Sequence, residues 1–261
     1  MLYIGLAGGV VLRAEHTGPI FRFFEIFHSL SKTYRHIFFD LDRTLWDFEA
    51  NSRETLAELF AKYRLQERGV ASFEGFLERY HAINDNLWRH YLRGNLNKET
   101  LRVKRFYDTL KKYGIKDKYL TLAMSDDYIA MSPLRTNLVP HTREILGYLH
   151  KKYSLHIITN GFEEVQHIKI NACKIDVYFE QVVTSDRAGA QKPSRKIFDY
   201  SLKLANALSH ESVMIGDCAE TDMQGARNAE MDHVFFNPRQ TRHNRNFTYE
   251  IASLRELMDI L

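Results

Sequence analysis

The chain has 261 residues, 44% of them hydrophobic and 26% charged, with 17 Phe and 14 Tyr, a balance that excludes disorder as its dominant state. Its 13 Gly, 5 Pro and 2 Cys exclude collagen-like and disulfide-scaffold classes. Lys and Arg total 36 against 33 Asp and Glu, and the formal excess of +3 is too small to argue for a nucleic-acid binder.

In chain order, the first feature is the apolar stretch at residues 2–12. It is shorter than the roughly 20 residues that span a bilayer, and no Lys or Arg precedes it as in a secretory signal. Residues 17–31, with Phe21, Phe23, Phe24 and Phe27, read as a short amphipathic helix. Residues 1–32 are expected to be an appendage outside the main fold. Residues 34–40 then read as a buried strand ending on a carboxylate. From about residue 51 to 131 nothing reads as a strand. Residues 53–63, 72–91, 98–113 and 118–130 carry amphipathic helical patterns, punctuated by Gly69, the Gly94-Asn95 pair and Gly114. Residues 49–132 are therefore expected to form a smaller, helical domain inserted after the first strand.

Residues 155–159, 178–184, 213–217 and 233–236 are further short apolar runs. Helical patterns at 142–152 and 194–208 separate them, and a final amphipathic helix is expected at 251–261. This alternation implies an α/β fold, a doubly wound parallel sheet covered on both faces, built from residues 33–48 and 133–261. Cys173 and Cys218 make no CxxC pair; they read as small, partly buried residues and suit a reducing compartment.

The chemistry gathers at the strand ends. Asp40 and Asp42 lie two residues apart as the first strand leaves the sheet, where open parallel sheets bind ligands. Alone, that pair also reads as a turn. Thr159-Asn160-Gly161 ends the second apolar run, and Gly216-Asp217, followed by Asp222, ends another. Lys192 precedes Pro193 and the helix from Ser194. Singly these read as helix caps, helix-start acids or a surface cation. Together they put acids, a hydroxyl and one cation on one edge of one sheet.

The ordered set DLDRTL, TNG, KP and GDCAETD resembles the four motifs of the haloacid dehalogenase superfamily. The phrases TNGF, KPSRKIFDYSL, GDCAETDMQGA and NDNLWRHYLRG resemble its YjjG-type pyrimidine 5′-nucleotidases, over nearly everything from residue 34 onward. The resemblance implies a Rossmann-like core with a helical cap. It implies Asp40 as a nucleophile that forms an aspartyl-phosphate, and Asp42 as the acid that protonates the leaving alcohol and then activates water. It implies Mg²⁺ as cofactor, held by the Asp40 and Asp217 carboxylates and the Asp42 carbonyl, with Asp222 ordering that shell. Lys192, Thr159 and the backbone N–H groups of Asn160 and Gly161 would hold phosphate oxygens. Dehalogenases of the superfamily lack an acid at the position of Asp42, so phosphoryl transfer is expected over dehalogenation.

A covered site also implies a small phosphate monoester rather than a nucleic-acid polymer. A cytoplasmic monomer or weak homodimer with no membrane attachment is expected. On the inserted domain, Asn84 and Trp88 share a helix face and could meet a base, although core packing for Trp88 and solvation for Asn84 are the plainer alternatives. Asp47 and Phe48, just after the first motif, are further candidates. The core motifs do not separate a nucleotidase from a sugar-phosphate phosphatase or phosphomutase. A non-catalytic binding module would be favoured had any of Asp40, Asp42, Lys192 or Asp217 been missing. Two departures from the nucleotidase pattern are Arg187 in place of an acid and Cys218 in place of a small hydroxylated residue. The basic loop at 238–245 reads either as a solvated loop or as a phosphate contact.

Overall fold

A computed structural model describes residues 33–261, so the expectations for residues 1–32, including the amphipathic stretch at 17–31, lie outside the described residues. Among the described residues six strands form one sheet: β1 (His36–Phe39), β2 (Ser154–Thr159), β3 (Phe179–Thr184), β4 (Ser212–Gly216), β5 (Asp232–Phe236) and β6 (Tyr249–Ile251). Their order is β3-β2-β1-β4-β5-β6, and every pairing is parallel. His36 is opposite Ser154 on one side and Ser212 on the other, so β1, β2 and β4 end nearly level. The chain builds outward from β1 through β2 to β3, then returns to place β4 on the other side of β1. That reversal opens a crevice at the carboxyl ends of β1 and β4. The central strands are continuous apolar runs because helices cover both faces. Ile37, Phe38, Phe39, Val213, Met214 and Ile215 are all fully buried.

The inserted segment holds α1 (Phe48–Lys62), α2 (Phe73–Leu92), α3 (Lys98–Lys111) and α4 (Lys118–Met131). Each starts on a side chain that accepts a hydrogen bond from the backbone three residues on: Asp47 from Ala50, Ser72 from Gly75, Asn97 from Thr100 and Asp117 from Leu120. Such caps stabilise a helix by about 1 kcal/mol each. The four helices close around their own apolar cluster, which includes Leu56, Phe76, Tyr80, Phe106 and Met124. The sheet has a separate cluster under α7 (Arg195–Ala205), centred on Phe38, Ile197, Phe198 and Met214. Between β1 and β3 the chain also forms α5 (Thr142–Leu149) and α6 (Glu163–Ala172), on either side of β2 in sequence.

Three local readings change. The first inserted helix begins at Phe48 rather than 53, because Asp47 is its cap. The strand β6 has no counterpart in the sequence reading, being only three residues long at the sheet edge. The helix expected over 251–261 is interrupted. Ile251 ends β6 opposite Phe236, Ser253 and Glu256 cap a short turn at Leu254–Glu256, and one last turn runs Leu257–Ile260. Ile251, Leu254 and Leu257 are all buried, so a helix-like spacing arose from two different elements.

Candidate active site

Asp40 directly follows β1 with its amide bonded to Ile215 of β4, and the residue is only 7% exposed. Lys192 reaches it from the loop before α7, Nζ to Oδ1 at 2.5 Å. The same ammonium lies 2.6 Å from Asp222 and 2.8 Å from the Ile158 carbonyl, so each of its three protons has a partner. The Asn160 side chain fixes that loop: its carbonyl accepts from the Lys192 amide at 2.8 Å and its amide donates to the Lys192 carbonyl at 3.1 Å. Asp222 is fully engaged, one oxygen on Lys192 and the other accepting from the Cys218 amide at 3.1 Å. It fits beneath the end of β4 because residue 216 is glycine; a Cβ there would overlap the carboxylate. Thr44 is buried, and its hydroxyl lies 3.4 Å from Asp40 and 3.5 Å from Asp217.

Asp40, Asp217 and Asp222 each offer an oxygen, and the three oxygens lie within 4.8 Å of one another. Burial, only partly offset by Lys192 and reinforced by Asp222, pushes the Asp40 carboxyl up to about 7. Burial, then Asp40 and Asp222, raise Asp217 well above the carboxylate range. Burial disfavours the charge on Lys192, but Asp222 and Asp40 outweigh it and hold the ammonium above its ordinary value. Three carboxylates against one ammonium leave negative charge uncompensated. An all-oxygen, electron-rich donor set of this kind fits a hard divalent cation.

Asp42 follows on a tight turn, with Arg43 in the left-handed region at φ 67°. Both its oxygens are held from α6: Lys169 donates to Oδ1 at 2.5 Å and Gln166 to Oδ2 at 2.9 Å. Gln166 also donates to the Thr159 hydroxyl at 2.7 Å, which in addition accepts the Gly161 amide at 3.1 Å. With two bonds accepted, the Thr159 hydroxyl proton is left to point elsewhere.

A cavity of about 270 Å³ lies over these groups, close to the lower bound of roughly 300 Å³ for small-molecule pockets. Its far wall comes from the inserted helices: Asn84 and Trp88 of α2, Arg102 and Arg105 of α3 and Tyr128 of α4. Asn84 is 1% exposed, and among the described residues its Oδ1 has no hydrogen-bond partner. Trp88 stacks on Phe162 at 5.3 Å, so one ring face is already covered. Phe48 lines the cavity under the Arg43 guanidinium, 4.4 Å from its ring centre. Asp47 is not among the lining residues; one of its carboxylate oxygens accepts from Ala50 and caps α1. Solvation of Asn84 is corrected by its burial. Arg187 is exposed and donates to the Val182 carbonyl at 3.0 Å, outside the cavity lining. In the basic loop, Arg245 pairs with Glu220 at 2.6 Å and His243 with Glu250 at 3.1 Å.

The structure thus brings together Asp40, Asp42, Thr159, Asn160, Gly161, Lys192, Asp217 and Asp222, with Phe48, Asn84 and Trp88 on the same cavity. The sequence reading missed Gln166, Lys169, Arg102 and Arg105. For the first two the sign appears only once the fold is known. Gln166 and Lys169 occupy, with Ile170, the buried face of α6, where an ordinary core helix carries only apolar side chains.

Residues 37–236 match the haloacid dehalogenase-like hydrolases. The chain belongs to that family. It is 31% identical to the pyrimidine 5′-nucleotidase YjjG of Escherichia coli over 86% of this chain and 96% of that one. It is 28% identical to the pyrimidine 5′-nucleotidase PynA of Streptococcus pneumoniae over 87% and 95%. The crystal structure of the HAD-hydrolase YfnB from Bacillus subtilis, bound to magnesium and showing interdomain movement, matches with a TM-score of 0.77 at 26% identity. That match covers 88% of this chain and 99% of YfnB. This member of the haloacid dehalogenase-like hydrolases is a phosphoric monoester hydrolase. Among its described residues no helix is long and apolar enough to cross a membrane.

Proposed function

We propose that the enzyme is a Mg²⁺-dependent nucleoside 5′-monophosphate phosphatase that favours pyrimidine nucleotides. One observation carries the reading: a nucleophile-grade carboxylate at Asp40, paired to buried Lys192, sits in a cavity whose opposite wall presents the unsatisfied amide oxygen of Asn84.

In this reading an Asp40 oxygen attacks phosphorus as the bond to the ribose oxygen breaks, giving an aspartyl-phosphate and an alkoxide. Asp42, whose oxygens each keep a free lone pair beside the bonds from Lys169 and Gln166, enters this step carrying the proton it gained from water in the previous turnover and delivers it to that oxygen. The ionised Asp42 then takes a proton from water, which attacks phosphorus and breaks the bond to Asp40. Lys192 keeps Asp40 oriented and lowers the negative charge that the phosphate meets. The Thr159 hydroxyl, already accepting two bonds, donates its proton to a phosphate oxygen, and the Asn160 and Gly161 amides flank it. Asp40, Asp217 and the Asp42 carbonyl would hold Mg²⁺, which supplies positive charge against the phosphate oxygens when bound. Asp222, with both oxygens engaged, orders Lys192 and the Cys218 backbone instead.

Residues 49–132 act as the cap that excludes water and selects the leaving group. The Asn84 oxygen suits the ring N–H of a uracil or thymine base, and the aromatic lining suits its faces. The similarity to YjjG and PynA, both pyrimidine 5′-nucleotidases, points the same way. The test is phosphate release from dUMP, dTMP and UMP beside ribose 5-phosphate and glyceraldehyde 3-phosphate, with Mg²⁺ and with EDTA. Nucleotides should lead by at least tenfold in kcat/KM, and EDTA should stop turnover. Hydrolysis of the sugar phosphates alone would overturn the nucleotide reading. Asp40→Asn should reduce kcat at least a thousandfold with every substrate; near-normal turnover would overturn the nucleophile assignment.

A further inference from the structure

We infer that Gln166 and Lys169 form a positioning clamp on Asp42, fixing the carboxylate that handles the proton relative to the hydroxyl that holds the phosphate. The inference rests on the acid–base role proposed above for Asp42.

Long polar side chains are seldom fully buried unless they are paired, and ordering them costs up to about 2 kcal/mol of rotamer freedom each. Gln166 is 0% exposed and Lys169 is 7% exposed. Both stand on α6, three residues apart and therefore on one face of the helix. Their polar ends meet Asp42 from the same side, Lys169 at Oδ1 and Gln166 at Oδ2. A carboxylate bonded through one oxygen can still swing about its side-chain torsions. Bonded through both, to donors on one rigid helix, it cannot.

Each arm is braced. The Lys169 ammonium lies 4.2 Å from the centre of the Trp46 ring, and Trp46 is itself 1% exposed with its indole N–H on the Arg135 carbonyl at 3.1 Å. The carboxamide nitrogen of Gln166 has two protons, and both are used. One goes to Asp42 and the other to Thr159, so this one group sets the spacing between the two. Gly161 leaves the room for it, since a Cβ at that position would overlap the Gln166 side chain. Nothing else in the proposed chemistry calls for a buried Gln and Lys here. Asp42 already follows Asp40 on the same turn, and Lys192 already serves Asp40.

The clamp has a consequence that a merely structural pair lacks. Proton delivery matters when the leaving group is an alkoxide, and hardly at all when it is p-nitrophenolate, which departs without a proton. A displacement of about 1 Å of a group in the reacting geometry is worth roughly a hundredfold in rate. Loosening Asp42 should therefore slow the first turnover of an alkyl phosphate and spare that of an aryl phosphate.

The experiment is single-turnover kinetics on the full chain with Mg²⁺, comparing dUMP with p-nitrophenyl phosphate, for the parent and for Lys169→Met, Gln166→Met, Lys169→Arg and Asp42→Asn. Should dUMP prove not to be a substrate, ribose 5-phosphate takes its place, because it too expels an alkoxide; the nucleotide reading can then fail without touching the clamp. Lys169→Met should slow alkyl-ester cleavage 10- to 100-fold while the first turnover of the aryl ester stays within threefold; Gln166→Met, which also frees the Thr159 hydroxyl, should slow both substrates but the alkyl ester at least tenfold more. Lys169→Arg, which keeps a donor on Asp42, should recover most of the alkyl rate. Equal slowing of both substrates, or slowing of neither, overturns the clamp. If Lys169→Met does not fold, Gln166→Met and Lys169→Arg decide by the same criterion. Asp42→Asn separates the layers. If it too fails to distinguish the substrates, the acid–base reading of Asp42 falls; if it distinguishes them and the clamp variants do not, only the clamp falls.

Discussion

Replacing His156 with leucine should flatten the acid limb of the stability curve. His156 sits in the middle of the sheet on β2, 0% exposed, stacked on Phe38 at 4.7 Å. Its Nε2 faces Nδ1 of His36 at 3.2 Å, a contact that needs a single shared proton, and among the described residues its own Nδ1 has no partner. Burial first, then the neighbouring His36, push this imidazole from its ordinary 6.5 down to about 4, against a small opposing pull from Glu180. The folded histidine therefore stays neutral where the unfolded one takes up a proton. Stability is untouched above pH 6.5 and is lost as pH falls from there to about 4. At roughly 1.4 kcal/mol per pH unit that loss is about 3 kcal/mol, a large fraction of the 5–15 kcal/mol that holds a typical domain. The assay is urea unfolding from pH 8 to pH 4 for the parent and for His156→Leu. The carboxylates of the active site titrate in both proteins, so the difference between the two curves isolates the imidazole. That difference should move by about 3 kcal/mol in favour of the variant between pH 7 and pH 4. Parallel curves would refute the argument.

Two further substitutions probe the site from opposite sides. Gly161→Ala drives a methyl group into the buried Gln166 side chain, so it should cost about 1–3 kcal/mol of stability and lower kcat for nucleotides at least tenfold, measured by thermal unfolding and steady-state assays. Full activity would show that Gln166 can move without consequence. Asn84→Leu removes a buried acceptor that lacks a partner, so stability should hold or rise by about 1 kcal/mol while KM for pyrimidine nucleotides rises at least tenfold. An unchanged KM would take Asn84 out of substrate recognition.

The catalytic edge was legible because it is local in kind even though it is scattered in sequence. Asp40, Thr159 and Asp217 each directly end or follow an apolar strand, and parallel strands must align their carboxyl ends. The inserted helices were legible for the same reason: Ser72, Asn97 and Asp117 announce their starts in the residue type. What could not be read was which polar side chain on a helix turns inward. Asn84 and Gln166 look like surface residues until the element they face is known. Asp47 has a role the sequence reading did not give it, since one oxygen of this carboxylate beside the motif caps α1. The end of the chain misled because Ile251 and Leu254 keep helical spacing while belonging to a strand and a turn. Periodicity records which positions are buried, and two short elements can satisfy it as well as one long one.

Charge at the strand ends also dictates an order of events. Asp40, Asp42, Asp217 and Asp222 bring four carboxylates to the cavity, and Lys169 and Lys192 bring two ammonium groups. Among the groups at the strand ends carboxylates outnumber ammonium groups four to two, although the cavity lining also carries the Arg43, Arg102 and Arg105 guanidiniums. Two unit charges about 5 Å apart repel by roughly 3 kcal/mol at the effective dielectric of a partly buried site, which is more than a hundredfold in affinity. In the proposed reading the cation binds before the phosphate does, and inorganic phosphate should be a poor ligand without it. Thermal unfolding with millimolar phosphate tests this: Mg²⁺ together with phosphate should raise Tm clearly above Mg²⁺ alone, whereas phosphate in EDTA should leave Tm unmoved. Asp217→Asn should weaken the Mg²⁺ response and leave phosphate in EDTA as poor a ligand as in the parent, because burial, Asp40 and Asp222 already hold the Asp217 carboxyl well above the carboxylate range when no cation faces it. An equal phosphate shift with and without Mg²⁺ would mean that the carboxylates are already balanced, and that Asp40, Asp217 and Asp222 gather there for a reason other than a cation.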